Sequence, residues 1–262
     1  MIAQQHSSTV LCSAGRGELF KEDCLACALE GKLNYCNIDY ALMKALLTDK
    51  ERTGIHVTDL TGCLRKAFYD KTTTAPEYPH AMMYRFQGTI AHGVLQFHSD
   101  ADEAEVPVSA LGIEGRMDIY RNGRILDFKT ARWLTPSRLP YGSHALQVNY
   151  YAAMLREMGK DVTSAAIQYI DLSGPTKCKV CKATYVPDDT GELHCPKCGA
   201  TSAEAHTGAV LIEIPFMPNE DVRQQIIERR DALLRALEDG NAPDKEPSFL
   251  CDYCPFVEIC KP

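Results

Sequence analysis

Twelve cysteines in 262 residues constrain this chain more than any other feature. Four pairs have the spacing Cys-x-x-Cys: Cys24 with Cys27, Cys178 with Cys181, Cys195 with Cys198, and Cys251 with Cys254. That spacing lets two thiolates from one tight turn reach a single metal ion. The first twelve residues are polar and lack the charged segment and apolar run of a secretory signal. No apolar run approaches the ~20 residues that span a bilayer. The chain is therefore expected to be cytoplasmic and without membrane contact. Thiols in that compartment stay reduced, so the cysteines are expected to bind metals, in three sets of four.

The sets differ in how much their spacing says. Cys178-x2-Cys181-x13-Cys195-x2-Cys198 has the pattern of a zinc ribbon, with Pro196 and Gly199 suited to a tight knuckle. It is expected to form an insert over residues 174–207. Cys12, Cys24, Cys27 and Cys36 lie in a Cys-rich N-terminal segment, residues 1–50. Their spacing is unusual, and His6 or His56 could replace a ligand. A structural zinc and partly used thiols are both open here. Cys251, Cys254 and Cys260 end the chain and need a fourth ligand from elsewhere. Spacing does not distinguish zinc from an iron–sulfur cluster. The formal net charge is −7. Three four-thiolate sites at about −2 each would take it to roughly −13. Phosphate contacts call for Lys and Arg. A nucleic-acid partner would thus need a local basic strip, catalytic cations or a basic protein partner.

Hydrophobic periodicity predicts helices over 37–49, from an N-cap at Thr58 through Phe68, and over 82–98, 141–158 and 219–238. Strands are expected over 105–120, 124–129, 164–172 and 208–216, the first two joined by a hairpin turn at Arg121-Asn122-Gly123. Residues 240–248 read as a linker. This order predicts a mixed α/β fold, a central mixed sheet flanked by helices, with the ribbon as an insert.

Within it, Gly115-Arg-Met-Asp118 and Asp127-Phe-Lys129 carry the chemistry. Two neighbouring strands each bring a carboxylate to one edge, and period 2 puts Asp127 and Lys129 on one strand face. Such carboxylates suit Mg(2+) or Mn(2+), which polarises a phosphodiester and acidifies bound water. A surface hairpin with an ion pair fits the same residues, because Asp-x-Lys alone is common. Likewise His92, taken singly on an apolar helix, suits a core position. Gln147 and Tyr151, at i and i+4, share a helix face.

In sequence order, Gly88-x-x-x-His92, Gly115-x-x-Asp118, Asp127-x-Lys129 and Gln147-x-x-x-Tyr151 resemble the motifs of the RecB-like branch of the PD-(D/E)XK nucleases. The resemblance implies a restriction-endonuclease-like core over residues 51–262. His92, Asp118, Asp127 and the Phe128 carbonyl would be metal ligands, Lys129 the catalytic lysine, and Gln147 and Tyr151 helpers. The segment Thr61-Gly-Cys-Leu-Arg-Lys-Ala-Phe-Tyr69 is similar to the first Cys motif of iron–sulfur members, including CRISPR-associated exonucleases. It implies a 4Fe-4S cluster on Cys63, Cys251, Cys254 and Cys260. The implied activity is metal-dependent DNA hydrolysis, with single-stranded DNA favoured, by an exonuclease of DNA processing or CRISPR adaptation, with a protein partner there. Arg65, Lys66, Arg116, Arg132, Trp133 and Arg138 are candidate strand contacts. From a different class, a non-catalytic nucleic-acid-binding or assembly module would use the Cys sites as partner surfaces.

Overall fold

The structure, a computed structural model, describes residues 8–30, 36–48, 53–75, 77–98 and 104–260. Its elements are β1 (Thr9–Leu11), β2 (Glu18–Phe20), α1 (Lys21–Leu29), α2 (Tyr40–Leu47), α3 (Val57–Leu60), α4 (Leu64–Thr72), α5 (Pro79–Phe97), β3 (Ala104–Ala110), β4 (Ile113–Arg121), β5 (Arg124–Ala131), α6 (Gly142–Glu157), β6 (Ser164–Asp171), β7 (Val186–Pro187), β8 (Leu193–His194), β9 (Ala209–Glu213), α7 (Asn219–Asp239) and α8 (Val257–Cys260). The chain divides into two compact units, residues 1–90 with 227–262, and residues 91–226.

In the first unit the described part of the Cys-rich leader forms two strands and two helices. Strands β1 and β2 pair antiparallel, and α1 follows directly. Asp39 caps α2 by accepting from Leu42 N at 2.9 Å. Val10, Ala28, Ile38, Met43, Leu46, Leu47 and Met82 bury one apolar cluster, with Cys24 inside it. The helix expected from a Thr58 cap is two helices. His56 precedes α3, and its N–H donates to Asp59 Oδ2 at 2.8 Å. Cys63 then stands at the N-cap of α4. Asp59 caps the start of α3, whose C-cap is Thr61, and Gly62 separates that C-cap from Cys63.

The chain's last segment docks on this same α3–α4 corner. Arg229 donates to the carbonyls of Leu60, at 2.6 Å, and Gly62, at 2.5 Å. It also pairs with Glu246 at 2.8 Å. Glu246 accepts in turn from Leu64 N, at 3.0 Å, the first amide of α4. A carboxylate there satisfies a helix-end donor and complements the helix dipole. Burial works against its charge, but Arg229 outweighs burial and holds Glu246 below the usual carboxylate range. Arg65 donates to Pro243 O at 2.6 Å, and the Tyr69 and Phe256 rings lie 5.6 Å apart.

The second unit is built on a five-stranded sheet in the order β3-β4-β5-β6-β9. All pairs are antiparallel except β5 with β6, whose crossover is α6. The mixed α/β fold with its flanked mixed sheet is thus as expected. Residues 147–155 of α6 are all buried, and Ile125, Ile167 and Tyr169 of the sheet are fully covered. The predicted turn is present: Asn122 and Gly123 have φ of 48° and 79°, the left-handed pair that a two-residue hairpin requires. One expectation fails. The run 105–120 is two strands, folded at Leu111 and Gly112, whose φ are 55° and 73°. The ribbon leaves the sheet where β6 and β9 pair, at Ile170 and Ala209. It holds its own small core of Cys178, Tyr185, Cys195 and Ala205 beside the β7–β8 hairpin.

Candidate active site and metal centres

The site arises where two strands part. Strands β4 and β5 pair from Arg121–Arg124 to Ile119–Leu126, and the ladder stops there. Beyond it, Phe128 N would lack a strand partner. Asp118 supplies one, accepting from Phe128 N through Oδ2 at 2.6 Å. Its other oxygen lies 3.1 Å from His92 Nδ1, on α5. That contact, against the effect of burial, raises the His92 pKa. Asp127 is 2% exposed, and burial pushes its carboxyl above the usual range despite the nearby Lys129. The Lys129 ammonium forms an ion pair with Asp127 Oδ2 at 2.9 Å.

A directed relay fixes Lys129 from α6. Its ammonium donates to Gln147 Oε1 at 2.9 Å. Lysine has no acceptor, so the Gln147 oxygen must face it and the amide nitrogen must face away. That nitrogen donates to Tyr151 OH at 3.2 Å, and the Tyr151 hydroxyl donates to Arg116 O on β4 at 2.9 Å. Burial pushes the Tyr151 phenol up to about 12 and keeps it protonated for this task. The i, i+4 face that carries Gln147 and Tyr151 continues one turn earlier to His144. Burial and the Lys129 charge push that imidazole down to about 4, so it is neutral, with Nδ1 3.1 Å from Tyr169 OH.

His92, Asp118, Asp127, Lys129, Gln147 and Tyr151 thus lie together in one site. Glu105 joins them without having been anticipated. It lies between Ala104 and Val106, which pair with Ile119 and Met117, so it stands across from Asp118. One oxygen of Glu105, one of Asp118 and one His92 nitrogen all lie within 4.8 Å of one another. Glu105 adopts φ of 52°, uncommon for a residue with a side chain, and pairs with Arg116 at 2.8 Å. Its only sequence signal was an acidic residue at the start of a strand.

The ribbon sulfurs approach one another: Cys178 to Cys198 at 3.6 Å, Cys181 to Cys195 at 3.2 Å, and Cys181 to Cys198 at 3.7 Å. Four ligands at ~2.3 Å around a tetrahedral zinc would stand about 3.8 Å apart. Among the described residues, neither other cysteine set has three sulfurs within 4.8 Å of one another. In the leader, the Arg16 guanidinium approaches Cys12 Sγ at 3.4 Å and Cys27 Sγ at 3.3 Å, while Cys24 is buried against Met43. Cys36 packs on the same cluster. His56 bonds Thr53 O through its ring, and His6 lies outside the described residues. Of the candidate strand contacts, Arg65, Lys66 and Arg116 are held by Pro243, Asp70 and Glu105. Arg132, Trp133 and Arg138 are exposed on the loop after β5.

A family model described as the PD-(D/E)XK nuclease superfamily matches residues 101–261, more than half of the chain. The chain belongs to the PD-(D/E)XK nuclease superfamily. It is a nuclease, its substrate is nucleic acid, and members of the superfamily use divalent metals. The match begins after His92. Of the solved structures similar to this chain, one is described as SSO0001, at 20% identity and TM-score 0.45, covering 84% of this chain and 92% of that one. Another is a phage-related exonuclease from Haemophilus somnus 129PT, at 12% identity and TM-score 0.40, covering 71% and 94%. No curated protein matches the sequence significantly. No helix among the described residues is long and apolar enough to cross a membrane.

Proposed function

We propose that this nuclease hydrolyses DNA phosphodiester bonds, preferring single strands and working as an exonuclease in DNA processing such as CRISPR adaptation. The observation that carries the hydrolytic part of this reading is the buried Asp127 carboxylate beside Asp118, ion-paired at 2.9 Å with a lysine oriented by a three-step relay. The DNA, single-strand and CRISPR parts are supported by the motif resemblance. Burying that carboxylate close to a second one is costly even with a single lysine as its partner. A cation held by His92, Asp118, Asp127 and the Phe128 carbonyl offsets that cost, and His, carboxylate and carbonyl donors suit Mn(2+) or Mg(2+). When bound, the metal polarises the phosphodiester and supplies an acidified water. The residues do the rest. Asp118, tied to Phe128 N and His92, keeps both strands at their splayed spacing. Gln147 and Tyr151 hold the Lys129 ammonium toward Asp127, where it orients the attacking water or neutralises the developing charge. His144, neutral, adds no competing positive charge.

The ribbon tetrad is assigned zinc, supported by its sulfur spacing. Cys63, Cys251, Cys254 and Cys260 are assigned a 4Fe-4S cluster. Support comes from the docking of residues 243–256 on the helix that starts after Cys63. The leader tetrad is assigned a structural zinc that would displace Arg16 from the thiols.

The test is a 5′-labelled single-stranded oligonucleotide incubated with anaerobically purified protein and Mn(2+). Ladder-like shortening is expected. Asp118→Ala, Asp127→Ala and Lys129→Ala should each lower the rate by at least about 100-fold, within the range for lost acid–base or electrostatic help, with unchanged circular dichroism. Wild-type cleavage by Lys129→Ala would remove the catalytic assignment.

A further inference from the structure

Trp133 is 77% exposed on the loop that follows β5, four residues beyond Lys129. Four residues of fully extended chain reach at most roughly 14 Å, so the indole lies within a few nucleotides of the site where Lys129 acts. Exposure alone would mean little, since Phe97 and Tyr253 are also exposed. Trp133 differs in how it is held. Its φ is 57°, a left-handed conformation that a bulky residue avoids. The conformation is imposed by Asp171, whose side chain is buried at the end of β6. Asp171 Oδ1 accepts from Trp133 N at 3.3 Å, and Oδ2 accepts from Leu134 N at 2.8 Å. The buried His206 ring, from the base of the ribbon, backs the same carboxylate at 3.3 Å. Leu134 is buried while its neighbour is turned outward. Four residues after Trp133, Ser137 N donates to Glu204 of the ribbon at 3.3 Å. A strained backbone persists only where its surroundings over-determine it, and such places cluster at functional sites. Here the strain presents the largest aromatic side chain to solvent. Arg132 and Arg138, both exposed, bracket it on the same loop.

We propose that Trp133 is the stacking platform for a base of the single-stranded DNA substrate, next to the active site, with the loop's arginines facing the phosphates. The proposal rests on the nuclease reading above and deepens it. Base–aromatic stacking is tolerant of sequence and strengthens binding without base readout, as suits an enzyme that removes successive nucleotides.

Trp133 is the chain's only tryptophan, so intrinsic fluorescence reports on this residue alone. The experiment titrates the full chain carrying Lys129→Ala with an unlabelled dT oligonucleotide, with the strand checked for integrity on a gel. Saturable quenching is expected, and an abasic strand of equal length should bind without it. In a separate anisotropy titration with dye-labelled strand, Trp133→Ala should weaken binding by about 5- to 150-fold. Trp133→Phe should recover part of the loss, and neither change should affect the abasic strand. Unquenched fluorescence at saturating strand, or unchanged affinity in Trp133→Ala, overturns the proposal. Cleavage by the wild type without quenching would leave the catalytic reading standing and sink only the platform. Quenching without wild-type cleavage would do the reverse.

Discussion

At the scale of single residues, the groups to which the proposal gives the chemistry are costly to keep where they are. Asp127 is a buried carboxylate whose partner is Lys129, and Glu105 is a strained residue facing a second carboxylate. Like charges across a strand pair are destabilising, so a shared cation gives Glu105 a reason to be there. If Glu105 lends its carboxylate to the metal, Glu105→Gln should raise the Mn(2+) concentration for half-maximal cleavage by about 10- to 100-fold, the usual cost of losing a supporting carboxylate. The rate at saturating metal should stay near that of the parent. Arg116→Met separates the explanations, because it breaks the ion pair and spares the carboxylate. An unchanged metal requirement in Glu105→Gln would end the idea, and an equal shift in Arg116→Met would move the role to the ion pair. His92, Asp118, Asp127, Lys129, Gln147 and Tyr151 were legible in sequence because their relations are local. Period 2 along β5 and i, i+4 along α6 need no knowledge of the fold, and the motif order supplied the rest. Glu105 was not legible. Reading 105–120 as one strand concealed the turn at Leu111–Gly112, and that turn is what brings Glu105 back beside Asp118. Register across a hairpin is set by its turn, and Leu-Gly is a weaker turn signal than the Asn-Gly that joins β4 to β5.

At the scale of elements, the ribbon is the clearest module, and the structure qualifies its independence. Its four thiols lie within one short segment around a core of their own. It also reaches the loop after β5 through Glu204 and His206. That second role was not visible beforehand, because Ser137 and the Glu204 carboxylate that it donates to are 67 residues apart. Replacing Gly174 to Thr207 with a Gly/Asn turn should preserve the sheet, since Ile170 and Ala209 already pair where the insert departs. Asp171 would still accept from Leu134 and Ser173. The expected protein is folded, has lost one zinc equivalent, and cleaves a short single strand at saturating concentration. Its affinity for that strand should fall, because two of the ties on the Trp133 loop are gone. Metal analysis, circular dichroism and cleavage at several strand concentrations check this together. A folded deletion that cannot cleave at any strand concentration would make the ribbon part of the active site.

At the scale of the whole molecule, the order in which the chain closes on itself matters most. The unit formed by residues 1–90 and 227–262 is assembled from the two ends of the sequence. Leu64 and Glu246, which meet there, are 182 residues apart. Closing so long a loop has an entropic cost that grows slowly with length, so a few firm ties suffice, but each matters. The protein ties visible at this corner are polar and partly exposed: Arg229 to Leu60, Gly62 and Glu246, and Arg65 to Pro243. Surface ion pairs contribute little individually, about 0–1 kcal/mol, and one aromatic contact adds ~1 kcal/mol. A cluster bridging Cys63 to Cys251, Cys254 and Cys260 would contribute far more, because metal binding adds directly to folding free energy. Cys63→Ser and Cys254→Ser should therefore behave alike, although one lies before the active-site motifs and the other after them. Each should lose the iron and the brown absorbance, lower the thermal midpoint, and open the C-terminal segment to limited proteolysis between residues 240 and 248. Zinc bound by the ribbon should remain. Glu246→Gln provides the contrast, since it weakens only the polar ties and should keep the iron with a small fall in midpoint. The measurement is anaerobic iron and zinc analysis beside a protease time course. If Cys63→Ser retained full iron content and a resistant C-terminus, Cys63 would not be a ligand and the polar corner alone would hold the chain's end.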